Sequence, residues 1–332
     1  MVEDAAINAR PLLEVDGLKK HYPMRRSLAD ALRGKPRRML RAVDGVSFDV
    51  AEGQTVGIVG ESGCGKSTAG LAILQLLAVD GGDVRFRGRS IVGLPAKENR
   101  RLRRHMQIVL QNPYSSLNPR MKVADIVAEP LRAFGVGTPA EQAERVAWLL
   151  ERVGLTARHG ERRPHEFSGG QRQRIGIARA LALNPALIVA DEAVSALDVS
   201  VQAQILALLL ELREEFGLTY LFISHDLSVV RYISDRIIVM YLGRIVETGP
   251  ADDVYLSPSH PYTQALMSAI PDPDVESRPR RIVLEGELPS AVEQPSGCPF
   301  HTRCFRAELR CREEVPAFRD LGGGHAAACH FA

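Results

Sequence analysis

The chain has 332 residues, of which 45% are hydrophobic and 25% are charged, and its formal net charge is +2. This composition is typical of a globular protein with ample core, and the small net charge argues neither for nor against nucleic acid. No segment approaches the roughly 18 to 20 apolar residues that a membrane span needs. The N-terminal sequence MVEDAAINAR also lacks the apolar stretch of a secretory signal. We therefore expect an intracellular protein without a transmembrane segment or signal peptide.

The predicted elements alternate between strands and helices over most of the chain. Strands are predicted at 12–15, 42–50, 54–59, 83–86, 106–111, 186–190, 218–224, 236–241 and 244–247. Helices are predicted at 68–77, 124–135, 140–154, 171–183 and 201–216. The alternation between residues 53 and 242 indicates an α/β fold with a parallel sheet covered on both faces. After about residue 258 the sequence becomes rich in proline and contains cysteines, which predicts a separate C-terminal appendage.

A basic segment at 24–41 separates the first two predicted strands. It contains seven Arg or Lys residues and one acid, Asp30, with Gly34 and Pro36 as breakers of regular structure. A solvated insertion is the first interpretation of such a segment, and contact with anionic lipid or a partner is the alternative. The sequence does not decide between them.

Residues Gly60 to Thr68 read GESGCGKST, which matches the phosphate-loop pattern G-x-x-x-x-G-K-[ST]. The two fixed glycines allow backbone conformations in which amide N–H groups face phosphate. Lys66 is expected to reach the β- and γ-phosphates, and the Ser67 hydroxyl is expected to bind Mg²⁺. The loop follows a predicted strand and opens a predicted helix, as this motif requires. The predicted ATP-binding residues of the loop are Gly60, Glu61, Ser62, Gly63, Cys64, Gly65, Lys66, Ser67 and Thr68.

Two acids follow the short apolar run ALIVA at 186–190. A buried parallel strand would deliver Asp191 and Glu192 to the carboxyl edge of the sheet, where ligands bind in open α/β folds. Phosphoryl transfer needs charge neutralisation and a positioned water. We therefore expect Asp191 to hold Mg²⁺ and Glu192 to be the base that activates the attacking water.

The sequence FSGGQRQR, from Phe167 to Arg174, lies between these two motifs. With them it resembles the ATP-binding-cassette (ABC) ATPases, and the resemblance covers nearly the whole chain. In that family the segment lies at a helix N-terminus, where phosphate is favoured, and contacts ATP held by the phosphate loop of a second subunit. The resemblance thus implies a head-to-tail dimer. It also implies nucleotide-binding roles for Ser168, Gly169, Gly170 and Gln171.

Four further residues match family motifs. Gln111, in VLQNP, is similar to the glutamine that contacts Mg²⁺ and the water and links the site to the membrane subunits. Asp198, in SALD, resembles the D-loop aspartate, and His225, in ISHDLS, resembles the switch histidine that contacts the γ-phosphate. Tyr22, in LKKHYP, resembles the aromatic residue that stacks on adenine. The resemblance implies that Glu192, His225 and Gln111 are catalytic and that Ser67, Gln111 and Asp191 bind Mg²⁺.

The same resemblance implies a particular architecture. It comprises a RecA-like core with a parallel sheet, an antiparallel β subdomain and a helical subdomain at about 112–180. The expected boundaries are 1–257 for the ABC ATPase domain and 258–332 for the C-terminal domain.

Several stretches outside the ATPase core narrow the resemblance to the oligopeptide/dipeptide importer ATPases. They are NPYSSLNPRM at 112–121, VSALDVSVQAQI at 194–205, VMYLGRIVE at 239–247, HPYTQALMSA at 260–269 and GELPS at 286–290. This type of subunit works with a related ATPase, two membrane permeases and an extracytoplasmic binding protein, at the cytoplasmic face of the membrane. Peptide is the expected cargo and no nucleic-acid partner is expected. An importer of nickel, sugar or another small solute and, less favoured, an exporter subunit remain alternatives.

Four of the five cysteines lie in the C-terminal tail, at Cys298, Cys304, Cys311 and Cys329. Their spacing lacks the paired C-x₂-C of most structural zinc sites, and five cysteines are too few for a disulfide scaffold. Four thiolates can hold a [4Fe–4S] cluster, and the resemblance of PSGCPF and the later cysteines to the family favours this. Zinc, also with His301, His325 or His330, and unliganded thiols are the alternatives.

Overall fold

The computed structural model describes residues 11–26, 37–112, 116–270 and 282–332. Their strands are β1 Leu13–Pro23, β2 Met39–Val50, β3 Thr55–Val59, β4 Gly81–Phe86, β5 Arg89–Ser90, β6 Met106–Val109, β7 Leu187–Asp191, β8 Thr219–Ile223, β9 Arg236–Tyr241, β10 Arg244–Pro250, β11 Arg319–Gly322 and β12 His325–Ala327. The helices are α1 Lys66–Ile73, α2 Ala96–Leu102, α3 Val123–Phe134, α4 Pro139–Arg152, α5 Gly169–Leu181, α6 Val199–Phe216, α7 Leu227–Ile233, α8 Ala251–Leu256, α9 Pro261–Ser268 and α10 Leu309–Glu313.

The larger sheet has the strand order β11-β12-β10-β9-β3-β8-β7-β6. Strands β9, β3, β8, β7 and β6 are parallel to one another, whereas β10, β12 and β11 continue the sheet in antiparallel pairs. Every residue of β3, β7 and β8 is buried, which explains their continuous apolar sequences. The predicted α/β fold with a parallel sheet is therefore confirmed.

The smaller sheet is antiparallel, with the order β2-β1-β4-β5. Its first strand is much longer than the predicted 12–15. The pairing of β1 with β2 shifts register between Val15 and Leu18, and Gly17 there has φ +57°. Such a bulge interrupts the alternation of apolar and polar side chains on which the prediction depended.

The helices form where local sequence signals agree with an apolar face. Thr138 caps α4 through a capping box with Glu141, and Pro139 stands at the first helical position. Helix α6 buries Ile205, Leu208, Leu209 and Leu212 as predicted, and ends at Gly217 with φ +62°. One core lies between the larger sheet and helices that include α3–α6, and a second lies between the two sheets around α1.

The described part of the C-terminal tail joins the larger sheet. Strand β12 pairs with β10 at Ala327 and Glu247, and β11 pairs with β12. These short strands flank a glycine-rich turn and carry no periodic pattern that predicts them. The division of the chain at residue 257 stays a prediction, as does a helical subdomain at 112–180, within which helices α3 and α4 and most of α5 fall.

Some sequence predictions concern residues outside the described ranges. They are the N-terminal sequence at 1–10, most of the basic segment including Asp30, Gly34 and Pro36, and residues 113–115 of the NPYSSLNPRM stretch. Within the described ranges, every helix is too short or too polar to cross a membrane.

Candidate active site

The GESGCGKST loop connects the end of β3 to α1 at the centre of the larger sheet. Gly65 has φ +107°, and a Cβ atom built there would lie 2.0 Å from the Ala42 carbonyl oxygen. At Gly60 a Cβ atom would lie 2.2 Å from the Met240 carbonyl oxygen. Both positions therefore need glycine because neighbouring strands leave no space for a side chain. Lys66 is 4% exposed, and its ammonium donates to the carbonyls of Gly60 at 2.7 Å and Glu61 at 3.0 Å.

Ser67 and Asp191 meet at the base of this loop. The Ser67 hydroxyl donates to Asp191 Oδ1 at 2.7 Å, although the residues are 124 positions apart. Asp191 is 9% exposed, and burial raises the pKa of its carboxyl above the ordinary value, with the nearby Glu192 charge raising it further. Hydroxyl and carboxylate oxygens are the ligands that Mg²⁺ prefers, and a cation here would offset the buried charge.

Glu192 follows Asp191 and contacts two of the predicted catalytic residues. Gln111 Nε2 donates to Glu192 Oε2 at 2.5 Å and lies 3.4 Å from the Ser195 hydroxyl. His225 Nδ1 is 3.6 Å from Glu192 Oε1. Glu192 itself has φ +48°, a strained conformation for a non-glycine residue. Its N–H donates to Ile223 at 2.8 Å, which helps to hold that conformation.

The FSGGQ segment and the D-loop residue lie at helix N-termini. Ser168 caps α5 and forms a capping box with Gln171, so Gly169 and Gly170 occupy the first helical turn. Asp198 is the N-terminal cap residue of α6 but makes no capping hydrogen bond with its side chain. Among the described residues, no hydrogen bond joins either segment to Gly60–Thr68. The chain therefore brings the phosphate loop together with Gln111, Asp191, Glu192 and His225, but not with these two segments.

Tyr22 lies near the end of β1, beside Leu40 of β2. The Lys20 ammonium is 5.2 Å from the centre of its ring. The residue lies on the smaller sheet, and within the described ranges it makes no hydrogen bond to the phosphate loop. Its predicted contact with adenine stays a prediction.

The sequence did not predict that two residues of the predicted C-terminal domain, Tyr262 and Arg303, hold the phosphate loop. The Glu61 N–H donates to the Tyr262 hydroxyl at 2.8 Å. The Glu61 carboxylate accepts two hydrogen bonds from Arg303, at 2.7 and 3.1 Å. Tyr262 belongs to the HPYTQ motif recognised in the sequence, but nothing in that motif indicates which distant backbone it contacts.

The four tail cysteines lie in one region of the fold. All are free thiols. The Cys298 N–H donates to the Cys311 carbonyl at 2.8 Å. Burial raises the pKa of Cys298 to about 11 and also raises that of Cys304. Across the described ranges, no group of three or more His, Cys, Asp or Glu side chains has an arrangement that could hold a metal ion.

Backbone N–H groups contact two of these sulfurs. The Arg306 N–H donates to Cys304 Sγ and the Phe331 N–H donates to Cys329 Sγ, both at 3.4 Å. Each of the three nearby histidine rings has one nitrogen near another polar group. These contacts are His325 with Glu247 at 2.7 Å, His330 with the Glu314 carbonyl at 3.1 Å and His301 with the Cys298 carbonyl at 2.9 Å.

Two solved structures of ATP-binding cassettes are similar to this chain. The dimeric post-hydrolysis state of the cassette MJ0796, bound to ADP and Pi, has a TM-score of 0.62 and 30% identity, and the match covers 72% of this chain and 98% of that one. The structure of cbiO1 from Clostridium perfringens, described as part of the ABC transporter complex cbiONQ, has a TM-score of 0.63 and 27% identity, with 74% and 91% covered. The fold and the phosphate loop thus define an ATP-binding cassette.

Sequence comparison narrows this class. Residues 43–195 match the family model described as ABC transporter, and residues 246–311 match the model described as oligopeptide/dipeptide transporter, C-terminal region. The oligopeptide transport ATP-binding protein AppF of Bacillus subtilis (strain 168) is 51% identical over 328 residues, which cover 98% of both chains. The chain therefore belongs to the ABC transporter ATP-binding proteins that carry the oligopeptide/dipeptide transporter C-terminal region, which confirms the predicted resemblance.

Proposed function

We propose that this chain is the ATP-hydrolysing subunit of a peptide importer and powers the transport of dipeptides or oligopeptides through partner permeases. The observation that carries the proposal is the contact of Ser67 with Asp191 beside the Gln111–Glu192–His225 group. It brings a phosphate-loop hydroxyl next to the carboxylates and amide that ATP hydrolysis requires. The peptide cargo is supported by the matched C-terminal region and by the name of AppF.

Mg²⁺ fits the oxygen atoms available near the phosphate loop. Ser67, Asp191 and Gln111 would hold it, and Lys66 would neutralise charge on the β- and γ-phosphates. Bound Mg²⁺ supplies charge stabilisation to the transferring phosphoryl group. The buried Asp191 carboxylate would gain most from the cation, because burial disfavours its charge otherwise.

Glu192 would accept the proton of the attacking water. Gln111 contacts one of its carboxylate oxygens and His225 lies near the other, so both can orient the group. His225 would also contact the γ-phosphate, and Tyr22 would stack on adenine.

The remaining nucleotide-binding residues would act on a second subunit. The α5 N-terminus, from Ser168 to Gln171, and Asp198 would approach the ATP held by the partner's phosphate loop. The partner would be a related ABC ATPase, in a heterodimer or a homodimer. Two permeases and, indirectly, an extracytoplasmic binding protein would complete the importer, with this chain at the cytoplasmic face of the membrane.

We also propose that residues 258–332 act as a unit that carries a [4Fe–4S] cluster, with zinc as the alternative. Cys298, Cys304, Cys311 and Cys329 would be the ligands. The N–H groups directed at two sulfurs support this, since such hydrogen bonds accompany cluster thiolates. As placed in the described ranges, however, the thiols do not form a metal-binding group, so the tail would have to rearrange to bind the cluster. A bound cluster would supply a structural link or a redox centre, and the thiols would lose their protons to bind it.

The test of the proposed function is Glu192→Gln in the subunit assembled with its permeases. ATP turnover is expected to fall by about 100-fold or more because the general base is lost, whereas ATP binding remains. Glu211→Gln, at an exposed position of α6, is the matched control and should keep full turnover. Unchanged hydrolysis in Glu192→Gln would contradict the assignment.

Uptake of a labelled dipeptide into membrane vesicles that contain the assembled transporter tests the cargo. Uptake of nickel or sugar instead would contradict the peptide assignment.

A further inference from the structure

An ion pair connects the phosphate loop to the cysteine tail. Arg303 lies between Cys298 and Cys304, and its guanidinium donates to both carboxylate oxygens of Glu61, at 2.7 and 3.1 Å. The Arg303 side chain is only 8% exposed, and that of Glu61 is 28% exposed. A two-point contact of this kind fixes the direction of the carboxylate as well as its charge.

A second contact holds the backbone of the same loop residue. The Glu61 N–H donates to the hydroxyl of Tyr262, which is fully buried in α9. The ring of Tyr262 packs on Tyr241 of β9, with centres 4.7 Å apart, and on Phe300 of the tail, at 5.4 Å. Glu61 is therefore held by its side chain and its backbone from a single packed surface.

The charge at position 61 makes this contact important for nucleotide binding. A carboxylate within a phosphate-binding loop repels the triphosphate unless an opposite charge offsets it. The hydrogen bonds to Glu61 raise the pKa of Arg303, so the guanidinium is charged throughout the physiological range. The ion pair thus neutralises Glu61 and holds its carboxylate towards the tail.

We propose that Arg303 is a positioning residue for the ATP site and that, through it, the C-terminal tail sets the ATP affinity of this subunit. The proposal rests on the proposed ATPase function. It assigns to the tail a role in the loop conformation that does not depend on what the cysteines bind. Tyr262 supports the same role by holding the Glu61 N–H.

The experiment measures the Kd for a fluorescent ATP analogue with the purified full chain in four forms: wild type, Arg303→Met, Glu61→Gln and the double variant. Arg303→Met should raise the Kd about tenfold because an unpaired carboxylate then faces the phosphates. Glu61→Gln loses the same ion pair but also removes the repulsive charge, so its Kd should rise less than that of Arg303→Met. In the Glu61→Gln background, Arg303→Met should change the Kd by less than about twofold, since the repulsive charge is absent.

Three further measurements separate positioning from stability. The effect of Arg303→Met should shrink at about 1 M salt, where the Debye length is near 3 Å. Arg303→Lys keeps the charge and should recover part of the affinity, which also provides a folded variant if Arg303→Met is unstable. Arg310→Lys, at an exposed tail arginine paired with Glu314, is the control and should leave the Kd unchanged.

A Kd within about twofold of wild type in Arg303→Met and Arg303→Lys, with both variants folded, would overturn the inference. An equal loss of affinity in the Glu61→Gln background would overturn it as well, because the effect would then not act through Glu61. A wild-type chain that binds no ATP would instead contradict the proposed function. The two failures are thus distinguishable.

Discussion

The phosphate loop and the cysteine tail are both irregular segments with buried side chains, but they are held in place differently. The loop joins β3 to α1 between the parallel neighbours β8 and β9, so the centre of the sheet surrounds it. The tail pairs with the edge of the same sheet through β12, packs Phe300 on Tyr241 of β9 and contacts the loop through Arg303. Loop geometry is thus determined by close backbone packing at the centre of the sheet, whereas the tail is held by strand pairing at the edge together with side-chain contacts.

The cysteines of the two regions give the same contrast. Cys64 in the loop and Cys298 in the tail are both buried, and burial raises the pKa of each thiol. The Lys66 charge opposes this rise at Cys64, but the neighbouring cysteines add to it at Cys298. Both thiols therefore stay protonated near neutral pH, but nearby charge opposes the rise in one region and adds to it in the other.

The largest expected effect is on the loop, with Gly65→Ala. The added Cβ would lie 2.0 Å from the Ala42 carbonyl, at φ +107°, so the loop would have to move away from β2. We expect loss of measurable ATP binding and a fall of about 3 kcal/mol or more in the free energy of unfolding. Nucleotide titration and urea unfolding measure the two quantities.

Gly53→Ala is the matched control for this change. Gly53 also has a positive φ, +77°, but no atom lies within 4 Å of its Cβ position. Gly53→Ala should lower the free energy of unfolding by only about 1 kcal/mol and should retain ATP affinity. Equal losses at the two positions would contradict the view that backbone packing determines the loop.

An intermediate effect is expected on the tail, with Cys304→Ser. If the four tail cysteines hold a [4Fe–4S] cluster, anaerobically purified protein contains about four iron atoms per chain and absorbs visible light. Cys304→Ser should lose most of this iron, whereas Cys64→Ser, at the fifth cysteine, should keep it. Iron content and absorbance measure the difference. Stoichiometric zinc without iron in the wild type would replace the cluster assignment.

The smallest effect concerns His260, where the tail begins. Burial lowers the pKa of His260 to about 3, and its Nδ1 accepts the Tyr262 N–H at the start of α9. Between the ordinary value of about 6.5 and about 3, the unfolded chain binds a proton that the folded chain does not. The contribution of His260 to stability is therefore fully present above about pH 6.5. It decreases as the pH falls through this window, by at most about 1.4 kcal/mol per pH unit.

His260→Asn keeps a capping acceptor for α9 but cannot take up this proton. Urea unfolding between pH 4.5 and 6.5 should therefore give a flatter dependence of stability on pH than in the wild type. Phe300→Leu replaces the ring that packs beside His260 with a smaller aliphatic side chain. It should lower stability at every pH and keep the wild-type dependence of stability on pH. An unchanged slope in His260→Asn would show that His260 does not cause the acid sensitivity.

Much of the nucleotide site follows from short-range sequence patterns. The glycines of GESGCGKST, the apolar run before Asp191 and the apolar face of α6 all operate between residues that are neighbours along the chain. Backbone conformation and hydrophobic periodicity are local properties, so they can be read without knowing the fold. The same patterns predicted the parallel sheet, because each buried strand is a short continuous apolar run.

Contacts between distant segments required the tertiary structure. Gln111 meets Glu192 across 81 residues, and Arg303 meets Glu61 across 242. No local rule pairs these side chains, because their distance depends on strand order and on how the tail packs against β9 and α9. The full length of β1, which contains a bulge, and the short strands β11 and β12 could not be predicted for a related reason. Pairing with neighbouring strands, and not local sequence, stabilises them. Sequence patterns thus predicted the phosphate loop and the residues proposed for the ATP site, while long-range packing decided which residues hold Glu61 in position.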